Sequence, residues 1–343
     1  MIDRRSFNST LALSLLGAAT ARAAAPKSSR VLKPKRLAAG DTIGMVLPAS
    51  STMESDNIAF AREQLEALGF QVVLGRHVFD RHGYFAGSDR DRAADINRMF
   101  ADPKIDGIVC YTGGWGTPRI LPLLDYDSIA RNPKALVGFS DITALLNTIY
   151  QRTGLITFHG PVAGSTLNPY SVENFRRVVM TAEPAGVLAP PEKRPQELVD
   201  RTNRILRLSP GKASGRLVGG NLTLIAALMG TPYEIDTTGA ILFLEDVREE
   251  VYRIDRMLTQ LALAGKLDRA AGVVFGRCTN CGSRESGFSL EDILRDRLGS
   301  LPIPVISGLS LGHIENKLTL PVGGMATLDA GAGTLSLDEA AVM

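Results

Sequence analysis

Short apolar runs alternate with segments of helical periodicity along the first half of the chain. The predicted strands are Thr42–Leu47, Gln71–Leu74, Ile105–Cys110, the run before Ser140 and Leu155–Phe158. The predicted helices are Asn57–Leu68, Asp89–Phe100, a short one over Ile120–Leu124 and one from Asp141 to about Tyr150. Strands that alternate with helices form βαβ units, so the pattern predicts an α/β fold with a parallel sheet.

The pattern changes between Tyr170 and Arg207, where prolines and charged residues replace the apolar periodicity. We predict a surface linker here, with boundaries of 37–168 for an N-terminal domain, 169–210 for the linker and 211–340 for a C-terminal domain. Leu217–Asn221 is predicted to contain the end of a strand, a turn and a helix start. The later predicted strands are Ala240–Leu244, Gly272–Phe275, Pro304–Ser307, Ala326–Leu328 and Leu335–Leu337, and the later predicted helices are Val251–Ala264 and Leu290–Leu298.

Residues 1–23 have the organisation of an export signal. Arg4 and Arg5 precede a short apolar stretch, and the segment Ala21–Ala23 has the small-x-small form of a cleavage site. Paired arginines followed by Ser-Phe are typical of a twin-arginine signal, and an ordinary secretory signal is the alternative. The apolar stretch is too short to span a bilayer. We therefore expect a periplasmic protein, cleaved after Ala23, with no stable membrane span.

Charge and cysteine content narrow the classes of partner. The formal net charge is +2 and no basic block interrupts the chain, which argues against nucleic acid. Cys278 and Cys281 could form a disulfide or half of a metal site, but no second pair or histidine cluster completes a zinc set. Cys110 lies in an apolar run and is expected to be buried. We expect no metal and no cofactor.

Ser140 is the first candidate for chemistry. It lies between a buried strand and a helix start, where a nucleophile elbow would lie, although Ile142 stands where that motif usually has its second glycine. The alternative is that Ser140 or Asp141 only caps the helix. The glycine loop Gly113–Gly116 ends another predicted strand, and the carboxyl ends of parallel strands face one crevice. The amides of Asp141, Gly113 and Gly114 could form an oxyanion hole; a phosphate cradle is the weaker alternative, because no P-loop lysine follows.

A serine nucleophile needs a base, and the base needs an orienting carboxylate. His77 and His82 flank a polar loop and are expected to be solvated, so His159 and His313 both remain as candidates for the base. Glu245 and Asp246 end a buried strand, and a helix-start role fits Asp246 better than Glu245.

Several motifs in one order resemble the LD-carboxypeptidase family (muramoyltetrapeptide carboxypeptidases), from about Leu37 to Leu328. The motifs are Ala86–Asp89, Gly113–Gly116, Val137–Asp141, Gly219–Leu222, Leu244–Val247, Tyr252–Arg256 and Gly312–His313. The resemblance implies a Rossmann-like N-terminal domain and a smaller, β-rich C-terminal α/β domain. It also implies a homodimer and a triad of Ser140, Glu245 and His313 that is split between the domains.

The resemblance implies the release of terminal D-alanine from a peptidoglycan tetrapeptide, a muropeptide. The family often has arginine where Thr112 stands and glycine where Ile314 stands. Both positions would lie near the substrate, so these differences bear on which substrate is bound. The remaining candidates for substrate binding are Trp115, Arg253 and Arg256, of which the arginines could hold a carboxylate or pair within their helix.

Two other functions were weighed beside this one. Some family members cleave peptidyl-nucleotide antibiotics, and a periplasmic binding protein could use the same scaffold without turnover. A dinucleotide-dependent oxidoreductase is a third alternative that the sequence disfavours, because Pro48-Ala49-Ser50-Ser51 stands where the glycine fingerprint after the first strand would be.

Overall fold

The computed structural model describes residues 30–343 except 53, 194, 197, 201 and 283–286, so the predicted export signal lies outside the described residues. The strands are β1 Thr42–Val46, β2 Gln71–Leu74, β3 Gly107–Cys110, β4 Ala135–Gly138, β5 Thr157–His159, β6 Gly186–Val187, β7 Leu206–Ser209, β8 Lys212–Asn221, β9 Ile241–Val247, β10 Gly272–Thr279, β11 Val305–Ser307, β12 Leu320–Val322, β13 Met325–Asp329 and β14 Thr334–Leu337. The helices are α1 Ser55–Ala67, α2 Asp89–Ala101, α3 Thr117–Ile120, α4 Tyr126–Arg131, α5 Thr143–Thr153, α6 Pro169–Phe175, α7 Leu222–Ala227, α8 Val251–Leu263, α9 Lys266–Arg269 and α10 Leu290–Leu298.

The first sheet has the strand order β12-β5-β4-β3-β1-β2. Strands β1 to β5 are parallel to one another, which confirms the predicted α/β fold. β3 and β4 are neighbours, so the loops that follow their carboxyl ends lie side by side. This edge of the sheet carries both the glycine loop and Ser140.

The second sheet has the order β6-β14-β13-β8-β9-β10-β11-β7. Its central strands β8 to β11 are parallel, and the outer strands are antiparallel. Both faces of β9 are covered. Ile241 and Phe243 belong to the core shared with the first sheet, whereas Leu242 and Leu244 pack in a second core with α8. The two sheets therefore share one apolar core.

The predicted linker 169–210 is wrong for its first part. Residues 169–175 form α6, and a π-helical turn, Arg176–Met180, follows it. Phe175, Val178 and Val179 on this segment are buried in the shared core. The segment is short and its apolar residues are few, so the prolines and charges after it dominated the sequence pattern. Further along, β6 and β7 join the two ends of the second sheet.

One strand of the first sheet was not predicted. Leu320–Val322 lies late in the chain, yet it forms β12 and pairs antiparallel with β5. Pro321 at its centre argues against a strand in the sequence pattern. An edge strand tolerates proline, because one side of its backbone needs no ladder hydrogen bond.

Candidate active site

Ser140 follows β4 and is the first residue of a 3-10 turn, Ser140–Ile142, that leads into α5. Its φ is 64°, in the left-handed region that residues with a β-carbon rarely adopt. Gly138 permits the sharp turn, because a methyl group there would lie 2.7 Å from Ile142 Cγ2. A strained serine in a strand-to-helix turn is the local structure of a nucleophile elbow.

Three polar side chains form a hydrogen-bonded chain at this elbow. His313 Nε2 lies 2.9 Å from Ser140 Oγ, and His313 Nδ1 lies 2.8 Å from Glu245 Oε2. The Phe139 and His313 rings pack with their centroids 4.9 Å apart. With its hydrogen on Nδ1, His313 donates to Glu245 and accepts the serine hydroxyl proton. The structure thus brings together the serine, histidine and glutamate that the family resemblance implies.

The alternation of side chains along β9 separates the two adjacent carboxylates. Glu245 continues the face of Phe243, which points towards the first sheet, and it is fully buried. Gly312 leaves room for it, because a methyl group on that residue would lie 2.8 Å from Glu245 Oε2. Asp246 points to the opposite face, where it accepts hydrogen bonds from Asn221 Nδ2 and from the amide and hydroxyl of Thr223. Asp246 therefore holds the start of α7, while Glu245 reaches the histidine.

The glycine loop packs directly against the elbow. A methyl group on Gly113 would lie 2.9 Å from Ser140 Cβ and 3.1 Å from the Asp141 amide nitrogen. Gly114 has a φ of 101°, and the Ser50 hydroxyl accepts a hydrogen bond from the Trp115 amide at 3.2 Å. This close approach requires glycine at 113 and places the loop beside Ser140 and the Asp141 amide.

A buried arginine that the sequence analysis missed supports the glycine loop. Arg92 Nη1 donates to the carbonyl oxygens of Pro48, at 2.5 Å, and Gly116, at 3.0 Å. Its Nη2 donates to Asp89, and its guanidinium carbon lies 4.7 Å from the centre of the Phe85 ring. A position on an amphipathic helix does not by itself indicate a buried arginine. The Ala86–Asp89 motif was the only sequence signal nearby.

Asp141 connects the elbow to α3. Its Oδ2 accepts a hydrogen bond from the Thr117 amide at 2.8 Å, and its backbone oxygen accepts one from the Thr117 hydroxyl at 2.5 Å. Burial raises the pKa of Asp141 to about 6, although the Thr117 hydrogen bonds act in the opposite direction. The side chain of Asp141 therefore fixes the backbone on both sides of the crevice.

His159, the other histidine that the sequence left open as a base, is a buried imidazole of the core. Its ring lies against Phe243 and Phe139, with centroids 5.3 and 6.0 Å away. Burial, followed by the charges of His313 and Lys317, lowers the pKa of His159 to about 3. The hydrogen bond to Ser140 is made by His313 instead.

The predicted substrate-binding residues fall into two groups. Thr112 is half-buried and Trp115 is exposed, and both belong to the loop beside Ser140. Arg253 and Arg256 lie on α8, where both stack on Tyr252 and Arg253 also lies 3.8 Å from Glu249. Arg253 therefore pairs with a carboxylate just before its helix, at a spacing of four residues instead of the expected three.

A cleft of about 390 Å³ opens beside His313. Its lining consists of Thr202, Asn203, Arg277, Thr279, Ser310, His313, Ile314, Glu315 and Asn316. Arg277 Nη2 and Thr279 Oγ1 are buried, and neither has a hydrogen-bond partner in the part of the chain that the structure describes. The sequence analysis missed both residues, because it predicted that their strand ends at Phe275, whereas β10 continues to Thr279.

The remaining sequence candidates for metal or redox chemistry lie apart from the triad. Cys278 and Cys281 form a disulfide, and Cys110 is a free, buried cysteine as predicted. Within the described residues, His77, Asp80 and Asp91 bring ligand atoms within 4.8 Å of one another, but they lie at the surface and include no residue of the triad. No helix in the described ranges combines the length and the apolar character that crossing a membrane requires.

Comparison with known proteins gives the same relationship over both halves of the chain. Residues 43–160 match the LD-carboxypeptidase N-terminal domain, and residues 214–328 match the LD-carboxypeptidase C-terminal domain. The probable murein peptide carboxypeptidase of Bacillus subtilis is 38% identical over 89% of this chain and 94% of its own. The murein tetrapeptide carboxypeptidase of Pseudomonas aeruginosa is 34% identical over 84% of this chain and 92% of its own.

A solved structure with a different ligand is also similar. The microcin C7 self immunity protein MccF in complex with aspartyl sulfamoyl adenosine superimposes with a TM-score of 0.83. It is 29% identical, and the match covers 91% of this chain and all of that one. This chain is therefore similar both to proteins named for murein peptides and to a protein in complex with an aminoacyl sulfamoyl adenosine.

Proposed function

The chain belongs to the LD-carboxypeptidase family, and on that premise we propose that it is a serine peptidase that releases terminal D-alanine from peptidoglycan tetrapeptides. The hydrogen-bonded chain from Ser140 through His313 to Glu245 carries this proposal. The substrate class follows from the relatives, which are named for murein peptides and murein tetrapeptides.

The geometry supports an acyl-enzyme mechanism. Ser140 Oγ attacks the carbonyl carbon before the terminal residue, and His313 Nε2 takes the hydroxyl proton. Glu245 keeps the hydrogen of His313 on Nδ1 and stabilises the imidazolium as it forms. The amides of Asp141 and of Gly113 or Gly114 hold the negative oxygen. His313 then gives its proton to the leaving amine, and water hydrolyses the ester by the same steps.

Product analysis by mass spectrometry tests the proposal. Purified protein without its first 23 residues is incubated with a disaccharide tetrapeptide, beside the Ser140→Ala variant. We expect the wild type to release one alanine and Ser140→Ala to lose at least roughly a thousandfold in rate, because the nucleophile is gone. Ser300→Ala, an exposed serine on the surface, is the matched control and should keep full activity.

Two results would contradict parts of the proposal. Release of alanine by both proteins would keep the carboxypeptidase activity and remove Ser140 as its nucleophile. Release by neither protein would discard the tetrapeptide substrate and favour either the nucleotide-peptide substrates described next or binding without turnover.

The second candidate function is the hydrolysis of peptidyl-nucleotide antibiotics. The observation that favours it is the likeness to MccF bound to aspartyl sulfamoyl adenosine, together with Thr112 at the position where arginine is often found in murein carboxypeptidases. An aminoacyl sulfamoyl adenosine supplied in place of the tetrapeptide discriminates between the two functions in the same mass-spectrometric assay.

We also propose that the protein is exported to the periplasm by the twin-arginine route and works there as a homodimer. The proposal rests on the Arg4-Arg5 signal and on the family resemblance. Cleavage after Ala23 gives a mature protein of defined mass, and light scattering of that protein reports its oligomeric state.

A further inference from the structure

A β-bulge aims one residue of β10 into the cleft beside the triad. Phe275 pairs with Leu244 and Cys278 pairs with Asp246, so β10 carries one extra residue opposite Glu245. Gly276 and Arg277 occupy the bulge, and a methyl group on Gly276 would collide with Leu311. Bulges next to active sites often redirect a side chain in this way. The extra residue explains why the side chain of Arg277 departs from the regular alternation along β10 and lines the cleft.

Arg277 is attached to the same loop as the histidine of the triad. Its amide donates to the carbonyl oxygen of Leu311 at 3.0 Å, and its own carbonyl oxygen lies 3.2 Å from where a Gly312 methyl group would be. His313 both contacts Ser140 and lines the cleft with Arg277. The guanidinium therefore shares a cleft with the histidine that is hydrogen-bonded to the nucleophile.

The described part of the chain leaves one nitrogen of the Arg277 guanidinium unpaired. Among the described residues, neither this Nη2 nor the hydroxyl of Thr279, two residues on, has a hydrogen-bond partner, and both atoms are buried. Burial lowers the pKa of Arg277, and the charge of Asp200 only partly compensates. Glu315 also lines the cleft, but among the described residues no carboxylate oxygen comes within ion-pair distance of Arg277. A buried, unpaired nitrogen on a half-buried cation is costly, and its hydrogen-bonding capacity remains for a ligand.

We propose that Arg277, with the hydroxyl of Thr279, binds the C-terminal carboxylate of the peptide substrate. The proposal rests on the proposed function, since it names the group that distinguishes a terminal peptide bond from an internal one. A guanidinium and a carboxylate match as two parallel hydrogen bonds, which gives both affinity and orientation. The carboxylate of the last residue is about one residue length, roughly 3.8 Å, from the scissile bond, so an anchor near His313 selects that bond.

The other cations near the site are less suited to this role. Lys317 lies over the Phe139 ring at 5.4 Å, and it is not part of the cleft lining. Arg253 and Arg256 stack on Tyr252 at the surface of α8 and do not line the cleft either. Arg277 alone among these four combines an unpaired buried nitrogen with a position in the cleft.

Binding to a catalytically silent protein tests the anchor. In the Ser140→Ala background, titration calorimetry compares a tetrapeptide that ends in a free carboxylate with the same peptide ending in an amide. We expect the acid to bind roughly 10- to 100-fold more tightly, as lost charge-assisted hydrogen bonds predict. Adding Arg277→Gln should weaken the acid to the affinity of the amide. Arg277→Lys should restore part of the preference, and Arg295→Gln, an exposed arginine on α10, should leave it unchanged.

The outcomes separate the anchor from the proposed function. Equal binding of acid and amide, no binding of either, or a preference that survives Arg277→Gln overturns the anchor. Alanine release by the wild type, measured separately, decides the hydrolysis. If the Arg277-dependent preference is found without alanine release, the anchor stands and the proposed hydrolysis fails. Arg277→Gln should unfold at the temperature of its parent or above it, because among the described residues the guanidinium donates no hydrogen bond that would be lost and the cost of desolvating its charge is removed.

Discussion

Ser140 has a backbone conformation that favours glycine, with a φ of 64°. Strain of this kind is retained where function requires it, because stability alone would select glycine. The side chain is nevertheless a serine, hydrogen-bonded to His313. The strained backbone at Ser140 therefore lowers the free energy of unfolding, while the serine side chain supplies the reactive hydroxyl.

This strain can be measured by comparing two substitutions at one position. Neither Ser140→Ala nor Ser140→Gly has the hydroxyl, so their difference in the free energy of unfolding reports the backbone. We expect the glycine variant to be more stable by up to about 1 kcal/mol in denaturant unfolding, since the left-handed strain exceeds the extra entropy of the unfolded glycine chain.

The same pair of substitutions at Ser300 is the control. The φ of Ser300 is not positive, so alanine should be the more stable variant there. An alanine variant at Ser140 that equals or exceeds the glycine variant would contradict stored strain at the elbow.

Sequence patterns predicted some site residues and left others ambiguous. The buried strand before Ser140 predicted the elbow, because apolar runs and helix starts are local signals. Local patterns do not distinguish His159 from His313 as the base, since the distinction depends on which imidazole reaches Ser140 in the folded protein. The family motifs made the choice, and the hydrogen bond from His313 to Ser140 agrees with it. Arg277 escaped prediction, because its role depends on a bulge that has no sequence signature.

At the element scale, the predicted segments differ in how well local pattern determined them. The bounds of β2 and α10 agree with the prediction, because a short run of apolar residues and a Ser-x-x-Asp capping box mark them in the sequence. α6 and β12 were missed for the opposite reason. Both are short, and both form because neighbouring elements cover them: α6 by the shared core and β12 by β5.

At the scale of the whole molecule, the two sheets meet around buried ionisable groups. His159 belongs to the first sheet and contacts Phe243 of the second. Asp141 directly follows the nucleophile in the turn Ser140–Ile142. Burial disfavours the charged form of both groups, which lowers the pKa of His159 and raises that of Asp141. As the pH falls, protonation of His159 therefore lowers the free energy of unfolding, whereas protonation of Asp141 raises it.

His159 should make the fold sensitive to acid. With a pKa of about 3 against an ordinary 6.5, it stays neutral in the fold while the unfolded chain takes up a proton. The free energy of unfolding therefore falls as pH drops from about 6.5 towards 3, by up to roughly 5 kcal/mol. Asp141, with a pKa of about 6, opposes this between about pH 6 and 4 by up to roughly 3 kcal/mol.

Denaturant unfolding of wild type and His159→Gln at pH 7 and pH 4 isolates the histidine, because the contribution of Asp141 is common to both. The stability difference between the two proteins should shift in favour of the variant at the lower pH. His82→Gln, at an exposed histidine, should show no such shift. Parallel stability curves for wild type and His159→Gln would show that His159 is not held neutral.

The late position of β12 in the chain has a consequence for how the protein is made. During synthesis, the outer edge of β5 stays open until Leu320–Val322 leave the ribosome, so the first sheet cannot be finished before almost the whole chain exists. An open strand edge invites pairing with other chains. The open edge of the first sheet is therefore covered only late in synthesis. We expect a shortened chain that lacks β12 to aggregate before it can fold.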